Sequence, residues 1–149
     1  MGRVAILVSR YNELVTTRLL EGARACCREA GLEESQVDVV WTPGAFELPA
    51  AAAAAAESGR YVAIVALGAV VRGDTPHFDF VAGEAARGLG DVAVRYRMAV
   101  AFGVLTVDTM QQALDRAGGS AGNKGYEAAA AAIETADVIG RLRSADAAT

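Results

Sequence analysis

Short apolar runs rich in β-branched residues alternate with longer helix-forming stretches along this chain. This alternation is typical of stacked β-α-β units, in which each helix returns the chain to the start of a parallel strand. The runs are continuous in valine, isoleucine, leucine and alanine rather than alternately apolar and polar, which predicts strands buried on both faces. We therefore expect an α/β fold, a three-layer α/β/α sandwich around a four-stranded parallel sheet.

Apolar runs, caps and stop signals predict where the elements begin and end. The predicted strands are residues 3–8, 37–42, 62–67 and 100–106, and the predicted helices begin near 12, 46, 77, 109 and 123. Asn12 is a candidate cap for the first helix, and Gly31 and Gly59 are expected to end the first two helices. Residues 68–76 are expected to form a loop. Three glycines inside the third helix predict close packing or an early end, namely Gly83, Gly88 and Gly90.

The size and charge of the chain narrow its class. Its 149 residues, 53% of them hydrophobic, suffice for one sizeable core, so we expect a single domain over residues 1–149 with a flexible tail from about 144. The net charge of -4 offers no basic stripe, so nucleic acid is not an expected partner. No apolar run is as long as a membrane span and no signal peptide is evident, so we expect no membrane association and a cytoplasmic location.

Two local features carry alternative interpretations. Cys26 and Cys27 are adjacent in a helical pattern, so we expect free thiols in a reducing compartment rather than a redox pair. The alanines at 51–56 give a helix with an apolar outer face, which a neighbouring subunit would cover. A good helix former in an undemanding position explains the alanines equally well.

Polar and aromatic residues follow the predicted strands, where open parallel sheets bind ligands. The segments concerned are residues 9–12, 43–47 and 68–77. Tyr11 and Phe46 could stack on a flat heterocycle, and Glu47 could accept hydrogen bonds from sugar-type hydroxyls. Core packing for both aromatics and first-turn helix electrostatics for Glu47 are the plainer interpretation.

Residues 68–75 have the glycine spacing of a phosphate-binding loop between a strand and a helix. Asp74 stands where that motif requires lysine, so nucleoside triphosphate binding is disfavoured. Gly73, Thr75 and the free amides of the following helix could still hold a single phosphate. Asp74 would repel a dianion unless its side chain points away, and a plain connecting loop is the alternative.

His77 is the only histidine of the chain and begins the predicted third helix. An imidazole with an ordinary pKa of about 6.5 suits proton transfer near neutrality, although a merely structural histidine fits the same pattern. One histidine and two adjacent cysteines cannot form a standard tetrahedral set, so no metal site is expected. Arg116 and Lys124 lie near turn-rich sequence, and their position alone assigns them no role.

Five separated blocks of the sequence, taken in order, match the spacings of the lumazine synthase family, which the chain resembles from Val4 to about Leu142. The blocks are Tyr11-Asn12, PGAFELP at 43–49, GAVVRGDTPHFDFV at 68–81, FGVLT at 102–106, and RAG at 116–118 with GNKG at 122–125. The resemblance implies a flavodoxin-like fold. It also implies that 5-amino-6-(D-ribitylamino)uracil condenses with 3,4-dihydroxy-2-butanone 4-phosphate to give 6,7-dimethyl-8-ribityllumazine, phosphate and water, with no cofactor and no metal.

The resemblance also implies a role for each matched residue. Stacking on the pyrimidine falls to Tyr11, and the ribityl chain is held by Glu47 and by backbone amides near Phe46. Phosphate binding falls to Thr75 and Arg116, and proton transfer to His77. The implied catalytic residues are His77 and Arg116, and the implied substrate-binding residues are Tyr11, Asn12, Gly44, Ala45, Phe46, Glu47, Ala69, Val70, Val71, Asp74, Thr75, Phe102, Arg116 and Lys124.

Family sites lie between the subunits of a pentamer, so the resemblance implies that Phe102 and Arg116 come from the adjacent subunit. It also implies a homo-oligomer, either a pentamer or a multiple of pentamers. The chain departs from the family at Tyr11, where phenylalanine or tryptophan is common, and at Ala99, where many members have proline. Two other functions remain open, an archaeal-type riboflavin synthase and a silent ligand-binding or shell protein.

Overall fold

The computed structural model describes residues 2–144, which form one main sheet with helices on both faces. The strands of this sheet are β1 (Arg3–Ser9), β2 (Val37–Thr42), β3 (Tyr61–Val71) and β4 (Ala99–Val107). They are all parallel and lie in the order β2-β1-β3-β4. The helices are α1 (Glu13–Glu29), α2 (Leu48–Glu57), α3 (His77–Tyr96), α4 (Met110–Asp115) and α5 (Lys124–Arg143).

Alternate residues of β1 supply two separate cores, because side chains along a strand point to opposite faces. Ile6 and Val8 belong to a core shared with α1 and α5. Leu7 and Ala5 belong to the core on the other face, under α2 and α3. This arrangement confirms the predicted three-layer α/β/α sandwich.

The two outer strands are less buried than the sequence predicts. In β2 only Thr42 is fully buried, and Val40 is 45% exposed. In β4, Phe102 is 37% exposed. The prediction that every strand is buried on both faces is therefore wrong for β2 and in part for β4, because an edge strand has a neighbouring strand on one side only.

The strand β3 extends beyond the predicted boundary, and the prediction of a loop beginning at residue 68 is wrong. Gly68 pairs with Val104 and the pairing continues to Val71 opposite Val107. A Cβ on Gly68 would lie 3.0 Å from the Ser9 hydroxyl, so a close approach of the β1 end requires the glycine. The connecting loop is thereby shortened to residues 72–76.

Asn12 is confirmed as the residue that precedes α1, but the expected cap by its side chain is wrong. Asn12 lies at the start of α1 in the left-handed region, with φ 64°, and its side chain makes no capping hydrogen bond. Its Nδ2 instead donates to the backbone oxygen of Ala69 at 3.0 Å. The side chain therefore ties the β1–α1 connection to the end of β3, a partner that lies 57 residues away in the sequence.

The glycines act as predicted at some positions and not at others. Gly31 and Gly59 follow α1 and α2 with φ of 91° and 71°, which confirms both stops. The third helix runs through its glycines to Tyr96, so an early end is wrong. Close packing is confirmed at Gly88, where a Cβ would meet Pro49 at 2.6 Å, whereas nothing lies within 4 Å at Gly83 and Gly90.

A short antiparallel hairpin, β5 (Ala117–Gly119) and β6 (Gly122–Asn123), joins α4 to α5 and was not predicted. Asn123 caps α5 by accepting from the Tyr126 amide at 3.0 Å, and it donates to the Arg18 backbone oxygen at 3.1 Å. The predicted tail from about residue 144 lies, beyond Ser144, outside the described residues.

The structure also shows the surroundings of the two adjacent cysteines and of the alanines in α2. Cys26 and Cys27 are free and buried, and burial raises the pKa of Cys27 to about 11. Four alanines of α2 pack against the core shared with α3, and they are Ala51, Ala53, Ala55 and Ala56. Ala50 and Ala54 are exposed.

Candidate functional site

A cleft of about 720 Å³ opens at the carboxyl edge of the sheet. Its walls come from the ends of β1, β2 and β3 and from the first turn of α3, as expected for a ligand site in a parallel sheet. The lining residues are Tyr11, Pro43, Gly44, Ala45, Phe46, Glu47, Ala69, Val70, Val71, Gly73, Thr75, His77, Phe78, Phe80 and Val81. Segments far apart in the sequence therefore converge on one cavity.

Three aromatic rings line this cleft without being buried by the chain. Tyr11 is 72% exposed, Phe46 53% and Phe80 70%. Rings of this size ordinarily bury most of their area, so the cleft presents apolar surface on which a flat ring can stack. Tyr11 and Phe46 were predicted from sequence as ligand-contacting residues, and Phe80 was not.

A carboxylate stands beside a tight turn at the second strand end. Residues Ala45–Glu47 form one turn of 3-10 helix directly after Gly44, and the Glu47 amide donates to the Gly44 oxygen at 3.2 Å. A Cβ built on Gly44 would lie 3.2 Å from Oε1 of Glu47, so the carboxylate folds back over the glycine. The first amides of such a turn lack helical acceptors and can donate to a ligand.

The loop of residues 72–76 leads into α3, whose first residue is His77. Thr75 and His77 are exposed and face the cleft, and the amino end of this 20-residue helix carries partial positive charge. Asp74 is exposed and does not line the cleft. Among residues 2–144 the side chains of these three residues make no hydrogen bond or ion pair, so they are available to a ligand.

Arg72 holds the two ends of this loop together. Its amide donates to the Val107 oxygen at 2.8 Å and its Nε donates to Asp108 at 3.0 Å. The same guanidinium lies 3.7 Å from Asp79 and 4.2 Å from the centre of the Phe78 ring. No role for Arg72 was predicted from sequence, because its partners come from another strand end and from the far side of the loop.

Five residues named in advance lie outside this cleft. Asn12 contacts the cleft wall only through its hydrogen bond to Ala69, and Asp74 directly precedes the lining residue Thr75. Phe102 and Lys124 line a separate recess of about 440 Å³ between β4 and α5. Arg116 is exposed at the end of α4, where its NH1 donates to the Gln112 backbone oxygen at 3.1 Å.

Several lining residues were not named as site residues. Phe78 and Val81 are three positions apart in the first turns of α3, so they lie on the same face of the helix, and this face lines the cleft. Gly73 was considered only as part of a phosphate loop, and Pro43 was quoted only within a motif. Helical spacing was the signal that could have found Val81, which lies four positions after His77, and then Phe78, which lies three positions before Val81.

Metal-ligating side chains and long apolar helices would each indicate another class of site. Across residues 2–144 no three histidine, cysteine, aspartate or glutamate side chains are grouped so as to hold a metal ion. Within the same residues, every helix is too short or too polar to cross a bilayer.

Comparison with known proteins identifies the family of this chain. The family model described as 6,7-dimethyl-8-ribityllumazine synthase matches residues 2–139. A protein of Anaeromyxobacter sp. (strain Fw109-5) named 6,7-dimethyl-8-ribityllumazine synthase is 53% identical over 137 residues, which cover 92% of this chain and 84% of that protein.

Proposed function

Because this chain belongs to the 6,7-dimethyl-8-ribityllumazine synthase family, we propose that its 720 Å³ cleft brings the two substrates of that reaction together. The protein is a transferase of riboflavin biosynthesis. It condenses 5-amino-6-(D-ribitylamino)uracil with 3,4-dihydroxy-2-butanone 4-phosphate to give 6,7-dimethyl-8-ribityllumazine, phosphate and water. The observation that carries the site assignment is that exposed aromatic rings, a carboxylate and the only histidine line one cavity.

The pyrimidine occupies the aromatic part of the cleft. Its flat ring stacks on Tyr11 and contacts the end of β3 at Ala69, Val70 and Val71. The ribityl hydroxyls extend toward the turn at residues 44–47, where they donate to the Glu47 carboxylate and accept from the amides of Ala45 and Phe46. The exposure of Tyr11 and Phe46 supports this orientation, since a bound ring would bury apolar surface that the chain leaves open.

The phosphate of the second substrate lies at the loop that precedes α3. Thr75 supplies a hydroxyl and the first turn of the helix supplies amides and the positive end of its dipole. Asp74 points away from the bound anion, consistent with its place outside the cleft lining. This places the ketone carbon of the phosphorylated substrate between the pyrimidine amine and His77.

The chemistry needs proton transfers rather than a protein nucleophile. The substrate amine attacks the ketone and water leaves to give an imine, and the imine then loses phosphate to give an enol. The enol tautomerises to a ketone, which the second nitrogen attacks with loss of another water to close the ring. Holding two substrates in register supplies much of the acceleration. His77 moves protons to and from the reacting atoms, which adds a factor of about a hundred to ten thousand.

The site is completed by a neighbouring subunit of a homopentamer. Arg116 lies outside the cleft of its own chain, and Phe102 and Lys124 line a different recess, which supports a role for them in another chain's site. We assign Arg116 and Phe102 to the cleft of the adjacent chain, with Lys124 in the same region. The exposed Ala50 and Ala54 of α2 are compatible with further subunit contact.

The protein works in the cytoplasm. The free, buried Cys26 and Cys27 support a reducing compartment, and both substrates are small polar molecules.

Incubation of the purified protein with both substrates tests the activity directly. Absorbance of the lumazine product is expected to rise well above the uncatalysed rate, and phosphate is expected to appear in equal amount. A matched incubation with the lumazine product alone should yield no riboflavin, which separates this activity from product dismutation. Absence of lumazine above the uncatalysed rate would refute the activity.

A further inference from the structure

We propose that Arg72 is a positioning residue, which holds the phosphate loop and His77 against the carboxyl end of β4 so that both meet the second substrate correctly. The inference rests on the proposed function of the loop of residues 72–76. It concerns a side chain outside the cleft lining, for which the substrate-binding assignments above have no use.

The contacts of Arg72 join two elements that the loop must keep in register. Its backbone amide donates to Val107 at 2.8 Å, so residue 72 still belongs to the sheet. Its Nε donates to Asp108, immediately beyond the end of β4, at 3.0 Å. Its NH1 lies 3.7 Å from Asp79 in the first turn of α3. One guanidinium therefore connects the end of β4 to the start of α3.

The ring of Phe78 gives this connection a fixed geometry. The guanidinium carbon lies 4.2 Å from the ring centre, well within the range of a cation–π contact. Phe78 also lines the cleft and is the residue directly after His77. Because the guanidinium lies over the face of the ring, the contact restricts the position of the first helical turn relative to Arg72.

The loop itself has little else to hold it. Residues 72–77 are all exposed, and nothing lies within 4 Å of a Cβ built on Gly73. Among the described residues, the side chains of Thr75 and His77 make no hydrogen bond or ion pair with the protein. Each exposed ion pair of Arg72 is individually weak. Together with the cation–π contact to Phe78, however, the two pairs hold residues 72–77 at both ends.

The reacting groups require this order. A displacement of about 1 Å in a positioned group can cost a hundredfold in rate, so a loop that fluctuates by a fraction of that distance loses a measurable factor. The pyrimidine end is different, since Tyr11, Phe46 and Glu47 belong to other segments and residues 69–71 are held by backbone pairing with β4. Arg72 should therefore affect the phosphorylated substrate and leave pyrimidine binding unchanged.

The test compares Arg72→Met, which keeps an apolar stem without the guanidinium, with Arg87→Met in the assembled protein. Arg87 forms an exposed ion pair with Glu84 at 2.8 Å, both residues lying in α3, and it serves as the matched control. For Arg72→Met, kcat/KM for 3,4-dihydroxy-2-butanone 4-phosphate is expected to fall about tenfold, with Kd for the pyrimidine unchanged within twofold. For Arg87→Met both quantities should equal those of the unsubstituted protein.

A double-mutant cycle separates positioning from general loss of structure. If the pair with Asp108 carries the effect, Asp108→Asn should lower the same kcat/KM, and adding it to Arg72→Met should cause little further loss. Unchanged kcat/KM in Arg72→Met would overturn the inference while leaving the proposed function standing. The inference would also be overturned if Arg72→Met lowered pyrimidine affinity and thermal stability together with turnover, since such a general loss would mark a purely structural role. If every variant kept full turnover, His77→Ala and Thr75→Ala included, the proposed site itself would be refuted.

Discussion

Glu47 folds back over Gly44, so closely that a methyl group on the Gly44 Cα would lie 3.2 Å from Oε1 of the carboxylate. Gly44 has an extended backbone with φ of -147°, which any residue can adopt. A side chain at position 44 would therefore press against the carboxylate, whereas the backbone angle would accept it. This relationship connects the turn after β2 to the direction in which the carboxylate points.

Gly44→Ala is expected to weaken pyrimidine binding about three- to tenfold, as for a loosened hydrogen bond to a charged group. The added methyl displaces the carboxylate from the ribityl hydroxyls without straining the backbone. Calorimetric Kd values should show the loss for the ribityl-bearing substrate and no loss for an analogue without the ribityl chain. Gly83→Ala, where the methyl meets nothing within 4 Å, is the control. An equal loss for both ligands would contradict the role of Glu47.

His77→Ala is expected to lower kcat about a hundredfold or more while sparing pyrimidine affinity, because the imidazole moves protons and does not hold the ring. Steady-state kinetics with both substrates, together with Kd for the pyrimidine, check the result. His77→Gln, which keeps a hydrogen-bonding group but cannot shuttle protons at neutral pH, should behave like the alanine variant. Full activity of the glutamine variant would show that hydrogen bonding alone suffices.

Arg116→Ala is expected to raise KM for the ketose phosphate more than it lowers pyrimidine affinity, since the guanidinium neutralises the phosphate. If the arginine serves a neighbouring subunit, mixed assemblies of Arg116→Ala and His77→Ala chains should regain activity. Random mixing restores roughly one site in four, because a site then needs one chain of each kind in the right order. Unmixed assemblies of each variant are the controls. No recovery on mixing would place both residues in one chain.

The main elements of the fold could be predicted from sequence because each depends on local pattern. The strand at 37–42 was predicted at its observed bounds, since an apolar β-branched run ends there at Pro43. The extension of β3 was missed because Gly68 within an apolar run has the spacing of a phosphate loop. Only the neighbouring strand, which pairs with residues 68–71, shows that the segment is extended.

The parts of the site that depend on distant partners could not be predicted in the same way. Asn12 has the sequence context of a helix cap, yet its side chain is used by the Ala69 oxygen. Arg72 has two carboxylate partners that are 7 and 36 residues away, and no local pattern signals them. The cleft residues Tyr11, Phe46 and His77 were predictable because each follows a strand end, and strand ends converge in any parallel sheet.

Asp38 gives the fold a pH-dependent ion pair at the edge opposite the cleft. The Arg3 guanidinium donates to both carboxylate oxygens, at 2.7 and 2.8 Å, and holds the pKa of Asp38 below its ordinary value. The hydroxyl of Tyr61 donates to the same carboxylate at 2.7 Å. A lowered pKa in the folded state contributes stability that is present above the unfolded pKa and lost as the pH falls through the folded pKa.

The stability difference between the unsubstituted protein and Asp38→Asn is therefore expected to be constant near neutrality. It should shrink as the pH falls below about 4, where the carboxylate of the unfolded chain begins to take up protons. Urea unfolding at a series of pH values and one fixed protein concentration measures it. Asp91→Asn, which removes a carboxylate from an exposed pair with Arg95, is the control and should give a smaller difference. A difference that does not change with pH would contradict the ion-pair explanation.

Two glycines of α5 offer a matched pair for the packing of α1 against α5. A Cβ on Gly125 would overlap the backbone oxygen of Leu19, so the helices can approach there only because the side chain is absent. Nothing lies within 4 Å of a Cβ on Gly140 in the same helix. Gly125→Ala is therefore expected to lower the free energy of unfolding by about 1–3 kcal/mol or more, because backbone cannot yield as a side chain can.

Gly140→Ala should instead raise the free energy of unfolding by about 0.5–1 kcal/mol, since alanine loses less backbone entropy than glycine in a helix. Denaturant unfolding of both variants at one protein concentration measures the two effects, because assembly makes the midpoint depend on concentration. The opposite signs are the essential result: helix propensity favours alanine over glycine at both positions, so the contact with Leu19 explains why the first substitution is destabilising. Stabilisation by both alanines would show that α1 and α5 lie farther apart than the structure has them.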